Sequence, residues 1–277
     1  MAAEFERVLN DVLAREGALH AGHVAGLSGP SREEIDLFVA RLLEDHSERK
    51  RELFDVMVRA AEDSFELDFT DLFRPFLNDA DPAIRRLAIE GLWEDEGADL
   101  VQPMLGALTS DADALVRAAA AMSLGRYLWL VVCEELPARV GQRIEAALRA
   151  AFNDPGEDVE VRRRAVEAMA FGSEEWVRTS IERAYDDDNP LMRESAVFAM
   201  GRNADPVWTE TVLAEMLSES PSMRYEAARA AGEMLLRRAV TRLIALVQDP
   251  DSEVNQMAVW ALGQIGGKRA RTTLEKL

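Results

Sequence analysis

The sequence predicts an all-α chain, a right-handed α-α superhelix in which helical hairpins stack as a solenoid. Three observations predict it: a ten-residue segment that recurs six times, a helical spacing of apolar residues inside each copy, and turn chemistry before each one. The copies are IRRLAIEGLW from Ile84, VRAAAAMSLG from Val116, VRRRAVEAMA from Val161, MRESAVFAMG from Met192, MRYEAARAAG from Met223 and VNQMAVWALG from Val254. Their starts lie 32, 45, 31, 31 and 31 residues apart. The long interval holds one period plus an insertion of about 14 residues, near 126–140.

Residues 1–30 read as an N-terminal segment, with a short helix or frayed end over 4–15 and a Gly-, Ala- and His-rich linker from Gly17 to Pro30. Residues 31–69 read as a divergent hairpin that caps the array. Ser31 and Glu34 form a capping box ahead of Ile35, Phe38, Val39 and Leu42, and Leu53, Val56, Met57 and Ala60 mark a second helix. Residues 70–277 read as six repeats in one solenoid domain. Apolar or small residues fall at offsets 0, 4, 5, 7 and 8 of each segment, one broad helical stripe. Alanine holds offset 4 throughout (Ala88, Ala120, Ala165, Ala196, Ala227, Ala258), where a small side chain permits close helix approach. Gly125, Gly201, Gly232 and Gly263 end four segments and are expected to stop those helices in a left-handed turn. Asp81-Pro82, Asp154-Pro155, Asn189-Pro190, Ser220-Pro221 and Asp249-Pro250 precede the segments and let each helix begin. Apolar runs before these turns, such as Leu100 to Leu108, supply the first helix of each hairpin. The insertion, with Tyr127 to Cys133, reads as an elongated helix packing on its neighbours, or as a protrusion that binds a partner.

Six in-register copies resemble the HEAT repeat, in particular the short HEAT-like repeats of phycobilisome lyase subunits. The resemblance extends at least from Asp71 to Leu277 and is strongest to bacterial HEAT-repeat proteins without an assigned activity. It implies a ladder between units, built from a turn aspartate and an arginine six residues later. Asp79 with Arg85, Asp111 with Arg117, and Asp187 with Arg193 fit that spacing. Asp249 faces Asn255, while Gly156 and Ser218 stand where Arg162 and Arg224 would need an aspartate, so the ladder is expected to be incomplete there.

Composition narrows the function. With 32 Lys and Arg against 51 Asp and Glu, the charge is −19, which repels a phosphate backbone and argues against nucleic acid as a partner. The groove of HEAT-like DNA glycosylases is basic, unlike this chain. No apolar stretch is read as approaching the roughly 18 residues of a membrane span, and the acidic N-terminus is unlike a signal peptide, so a cytoplasmic protein without a membrane partner is expected. The lone Cys133 cannot form an internal disulfide or a thiolate zinc site. His20 and His23 share a helical face without further ligands, and no His-Glu pair of the kind deoxyhypusine hydroxylases use for iron occurs. No nucleophile arrangement or phosphate loop is found. No catalytic, cofactor or metal residue is therefore assigned, and the chain is expected not to be an enzyme.

What remains is a surface. The resemblance implies that the second helix of each repeat faces the concave side, and offsets 2 and 6 point away from the buried stripe. Phe198, Tyr225 and Trp260 occupy such positions where polar residues would suffice, joined by Glu194 and Arg229 and, earlier in the chain, by Met122 and Trp93. Aromatic side chains with arginine are the anchors of protein interfaces. The expected function is a non-enzymatic scaffold that binds a protein or peptide on these residues. Two alternatives stay open: an accessory subunit of a lyase-like enzyme that binds a small molecule, and a homo-oligomeric structural component.

Overall fold

The computed structural model describes residues 2–277, and among them every regular element is helical. In chain order these are α1 (Ala2–Ala14), α2 (Ala21–Val24), α3 (Arg32–Leu42), α4 (Glu48–Asp63), α5 (Thr70–Phe73), α6 (Pro82–Gly91), α7 (Val101–Ser110), α8 (Ala114–Val132) and α9 (Ala138–Asn153). They continue with α10 (Val159–Met169), α11 (Glu175–Tyr185), α12 (Pro190–Asn203), α13 (Thr209–Glu215), α14 (Pro221–Glu233), α15 (Val240–Leu246), α16 (Ser252–Ile265) and α17 (Lys268–Leu274). The six recurring segments are α6, α8, α10, α12, α14 and α16, each the second helix of a hairpin. Proline at the first helical position and a capping side chain start α6, α12 and α14, where Asp81, Asn189 and Ser220 accept from backbone N–H groups. In α10 and α16 the proline falls earlier in the turn, and Asp158 and Asp251 cap instead.

The chain divides into two compact units, the first ending at Ser123 and the second running from Leu124 to Leu277, where one solenoid domain was expected. In the first, Phe38, Phe54, Phe73 and Phe76 build an aromatic core with ring centroids 5.0–6.0 Å apart. The segment expected as a linker packs onto it. Leu19, Val24 and Leu27 are buried, as are Phe5, Leu9 and Val12 of α1. Their spacing of 4 and 3 along α1 puts them on one face.

In the second unit α10, α12, α14 and α16 stack in sequence, α10 also packing on α9. The alanines at offset 4 are fully buried there. The glycines have a role other than the one expected. Gly125, Gly201, Gly232 and Gly263 all lie inside helices with ordinary right-handed backbone, and the left-handed residues come later, at Ala204, Leu235 and Gly266. What three of the glycines provide is proximity. A β-carbon on Gly201 would sit 2.7 Å from Ala230 Cα, one on Gly232 would sit 2.6 Å from Trp260 Cζ3, and one on Gly125 would sit 3.1 Å from Ala168 Cα. Gly263 has open space around it.

The insertion becomes the end of α8, a turn and a long α9. By length and a mean hydropathy of 1.4, α8 is apolar enough to cross a membrane, contrary to the expectation from sequence, and 56% of it is buried within the protein. That expectation weighed the run from Tyr127 to Cys133 and missed the alanines before it.

Candidate protein-binding surface

The turns that position the second helices are tied together by a charge ladder that runs forward along the chain. Each turn aspartate accepts the backbone N–H two residues on, which shapes the turn: Asp79 from Asp81, Asp111 from Asp113, Asp187 from Asn189 and Asp249 from Asp251. The other side of the carboxylate takes a cation from the preceding repeat. Arg85 grips Asp111 with two hydrogen bonds of 2.7 Å, and Arg224 grips Asp249 with bonds of 2.8 and 2.9 Å. Arg162 lies 3.6 Å from Asp187. Lys50 of the capping hairpin donates to Asp79 at 2.6 Å, and both side chains are almost wholly buried.

The spacing of six therefore describes a different bond from the expected one. Nη1 of Arg85 donates to the carbonyls of Asp79 and Ala80, Nη1 of Arg117 to those of Asp111 and Ala112, and Nη1 of Arg224 to those of Ser218 and Glu219. Six residues bring the guanidinium back to its own turn, and the remaining nitrogens reach the next aspartate. Arg162 and Arg224 consequently keep their rungs although Gly156 and Ser218 replace aspartates behind them. The gap left by Ser218 falls on Arg193, which meets Glu215 at 3.7 Å and the ring of Tyr185. Asn255 fills the arginine position in the last repeat and donates to the carbonyl of Val247.

Of the seven residues assigned to a binding face, Trp93 and Met122 belong to the first unit, where both are exposed. Glu194, Phe198, Tyr225, Arg229 and Trp260 belong to the second, on the adjacent helices α12, α14 and α16. Phe198 and Tyr225 are half-buried and Trp260 is 40% exposed. Arg229 is not a surface residue as expected: it is 8% exposed. Its guanidinium lies 3.8 Å from the centre of the Phe198 ring, donates to the Phe198 carbonyl at 3.0 Å, and pairs with Glu226 at 2.8 Å and Glu233 at 2.6 Å. Stacked helices on both sides cover most of the circumference of α14, so offset 6 faces a neighbour rather than water.

Around Arg229 lies a network that sequence spacing did not reveal. Glu167 is buried, accepts from Arg164 at 2.9 Å and from Ser195 Oγ at 2.5 Å, and Arg163 donates to the same Ser195 oxygen at 3.0 Å. Burial raises the carboxyl pKa of Glu226, Arg229 opposes that, and Glu167 and Glu233 push it further up. Burial likewise raises the pKa of the Tyr225 hydroxyl, helped by Glu226 and Glu253 and opposed by Arg229. Burial leads both shifts, and the neighbouring glutamates add to them. Among the described residues no group of three His, Cys, Asp or Glu is placed to hold a metal ion.

The profile of HEAT repeats matches residues 70–136 and 209–277. YibA of E. coli is similar in structure at 19% identity with a TM-score of 0.52, over 95% of this chain and 91% of that one, a likeness of fold. Human deoxyhypusine hydroxylase aligns at 20% identity and a TM-score of 0.41 over 95% and 96% of the two chains. Importin beta aligns at 16% and 0.46 over 95% of this chain and 38% of its own. No curated protein matches the sequence.

Proposed function

From the premise that this chain is a HEAT-repeat protein, we propose that it is a non-enzymatic scaffold that binds a protein or peptide on the face built by α12, α14 and α16. The observation that carries the reading is the row Phe198, Tyr225 and Trp260 on consecutive second helices, open to water where packing does not require it. Large aromatic rings partly exposed on rigid helices are the usual anchors of an interface, and regular helices hold them without an ordering cost. The Arg224–Asp249 rung between the last two repeats and the close contacts at Gly201 and Gly232 fix the spacing of those helices, so the row is preorganised. Phe198 is the inner member, locked by Arg229, and Tyr225 and Trp260 are the members with free surface.

Affinity capture from native lysate tests the reading, using the wild type beside a Tyr225→Ala, Trp260→Ala double variant of equal helicity and melting temperature. A polypeptide retained by the wild type and lost from the variant supports it. Equal capture by both proteins rejects this face as the binding surface.

A further inference from the structure

Of the ten aromatic rings in the second unit, most are met by a cation of the chain itself. Six of them lie against an arginine of the chain itself: Tyr127 with Arg126, Phe152 with Arg183, Phe171 with Arg202, Trp176 with Arg149, Tyr185 with Arg193, and Phe198 with both Arg202 and Arg229. Trp129 stacks on Phe171, and the buried Trp208 donates its ring N–H to Asn203. Tyr225 and Trp260 remain, with no cation, second ring or ring-polar partner among the described residues.

Their surroundings are electronegative. Among the described residues Glu194 accepts from the Ser222 hydroxyl and has no cationic partner, and Glu253 is exposed without one. Arg229 is already shared between Glu226 and Glu233, and one oxygen of Glu233 is buried with no hydrogen-bond partner. Of four carboxylates here, Glu226 and Glu233 pair with Arg202 and Arg229 while Glu194 and Glu253 do not, on a chain whose overall charge is −19. Six of the ten rings thus carry a cation from the chain itself, and among the described residues the rings on α14 and α16 carry none.

We infer that the partner docked on this face is a basic peptide segment, whose arginine or lysine side chains lie over Tyr225 and Trp260 and face the carboxylates of Glu194 and Glu253. The inference rests on the proposed docking face and adds the chemistry of what binds there. An incoming guanidinium would repeat the arrangement that Arg229 makes with Phe198, Glu226 and Glu233 one row away. Cation–π attraction and unpaired carboxylates act on the same group, which favours arginine for its planar face.

The geometry also sets a spacing. Trp260 rests on Gly232, seven residues beyond Tyr225 on α14. Seven residues of helix span ~10 Å, which an extended peptide covers in about three residues. Two basic residues about three positions apart reach both rings.

The test titrates the full-length protein with a blocked peptide carrying two arginines three residues apart in a serine background, read by calorimetry and by tryptophan fluorescence. The same peptide with citrulline in place of arginine keeps the shape and removes the charge. The arginine peptide is expected to bind at least about tenfold more tightly than the citrulline peptide, the step that ~1.4 kcal/mol produces. Trp260→Leu and Tyr225→Leu should each weaken it between about twofold and thirtyfold, the range spanned by exposed and desolvated cation–π contacts. Glu194→Gln with Glu253→Gln should weaken it too, whereas Asp63→Asn with Glu66→Gln, equally acidic and in the other unit, should not. Equal binding of both peptides, or equal loss from both carboxylate pairs, would overturn the basic-peptide assignment in favour of diffuse charge attraction. If lysate capture depends on Tyr225 and Trp260 while the arginine peptide fails to bind, the face docks a partner of other chemistry. If neither depends on them, the docking reading fails as well.

Discussion

Two alanine substitutions that look alike in sequence should have opposite effects. Gly201 and Gly263 hold the same offset in their repeats, and both lie within helices, α12 and α16. Replacing either by alanine gains ~1 kcal/mol of intrinsic helix propensity. Around Gly263 nothing comes within 4 Å of the new methyl group, so that gain is realised. At Gly201 the methyl would meet Ala230 Cα at 2.7 Å and Ala230 Cβ at 2.9 Å. Unstrained carbon contacts lie near 3.5–4.0 Å, about 1 Å further out, and the obstacle is backbone that cannot rotate away. Helices α12 and α14 must part, at an overpacking cost of ~1–3 kcal/mol. Gly201→Ala should therefore be about 1–3 kcal/mol less stable than Gly263→Ala. At ~2–4 °C per kcal/mol for a domain of this size, thermal melts followed by far-ultraviolet circular dichroism should separate the two by several degrees. If both variants melt above the wild type by the same amount, the close approach of α12 and α14 is not a constraint and the account of the glycines is wrong.

Further outcomes follow from the same geometry. Lys50→Met leaves Asp79 charged in a site that excludes water and should cost ~3–5 kcal/mol in urea unfolding, while adding Asp79→Asn to it should restore a good part of that loss. Hydrogen bonds from Arg85 and Arg224 hold the carboxyls of Asp111 and Asp249 below the usual aspartate range. Because the folded value lies below the unfolded one, this stabilisation is complete above pH ~4 and disappears as pH falls through the lowered value. The urea midpoint of the wild type should drop between pH 7 and pH 3, and an Asp111→Asn, Asp249→Asn variant should show a smaller drop. Ala204 adopts a left-handed backbone after α12, so Ala204→Gly should raise stability by ~0.5–1 kcal/mol in the same assay.

The repeat, its period, and the identity of all six second helices were legible in the chain, because a 3.6-residue pattern copied six times leaves little else for the apolar residues to do. Rotational position on one helix was also legible, and it placed Tyr225 and Trp260 correctly on a face with open surface. What it could not supply was the neighbour. Offset 6 exposes Trp260 yet buries Arg229 and Glu167, since the coverage at each position depends on which side chain the adjacent helix presents. The ladder shows the same limit. A spacing of six identified the right residues, but whether Arg85 meets Asp79 or Asp111 is decided by the stacking of one turn on the next, 26 residues apart in sequence. Lys50 was missed because a buried lysine has no local signature; its distance of 29 residues from Asp79, close to one period, was the available clue. The glycines were read as helix stops from their place at the segment ends, whereas the helices continue past them and use the missing side chain for contact.

The central claim, that the α12–α14–α16 face is where a partner sits, is tested most directly by a photo-crosslinking amino acid placed at position 225 in the otherwise native protein. A matched site at Val207, exposed in the short helical turn ahead of α13, serves as the comparison. The account predicts one discrete polypeptide adduct at position 225 that is missing at 207, with the crosslinked peptide of the partner rich in arginine or lysine. No adduct at 225, or the same adducts at both positions, would contradict it.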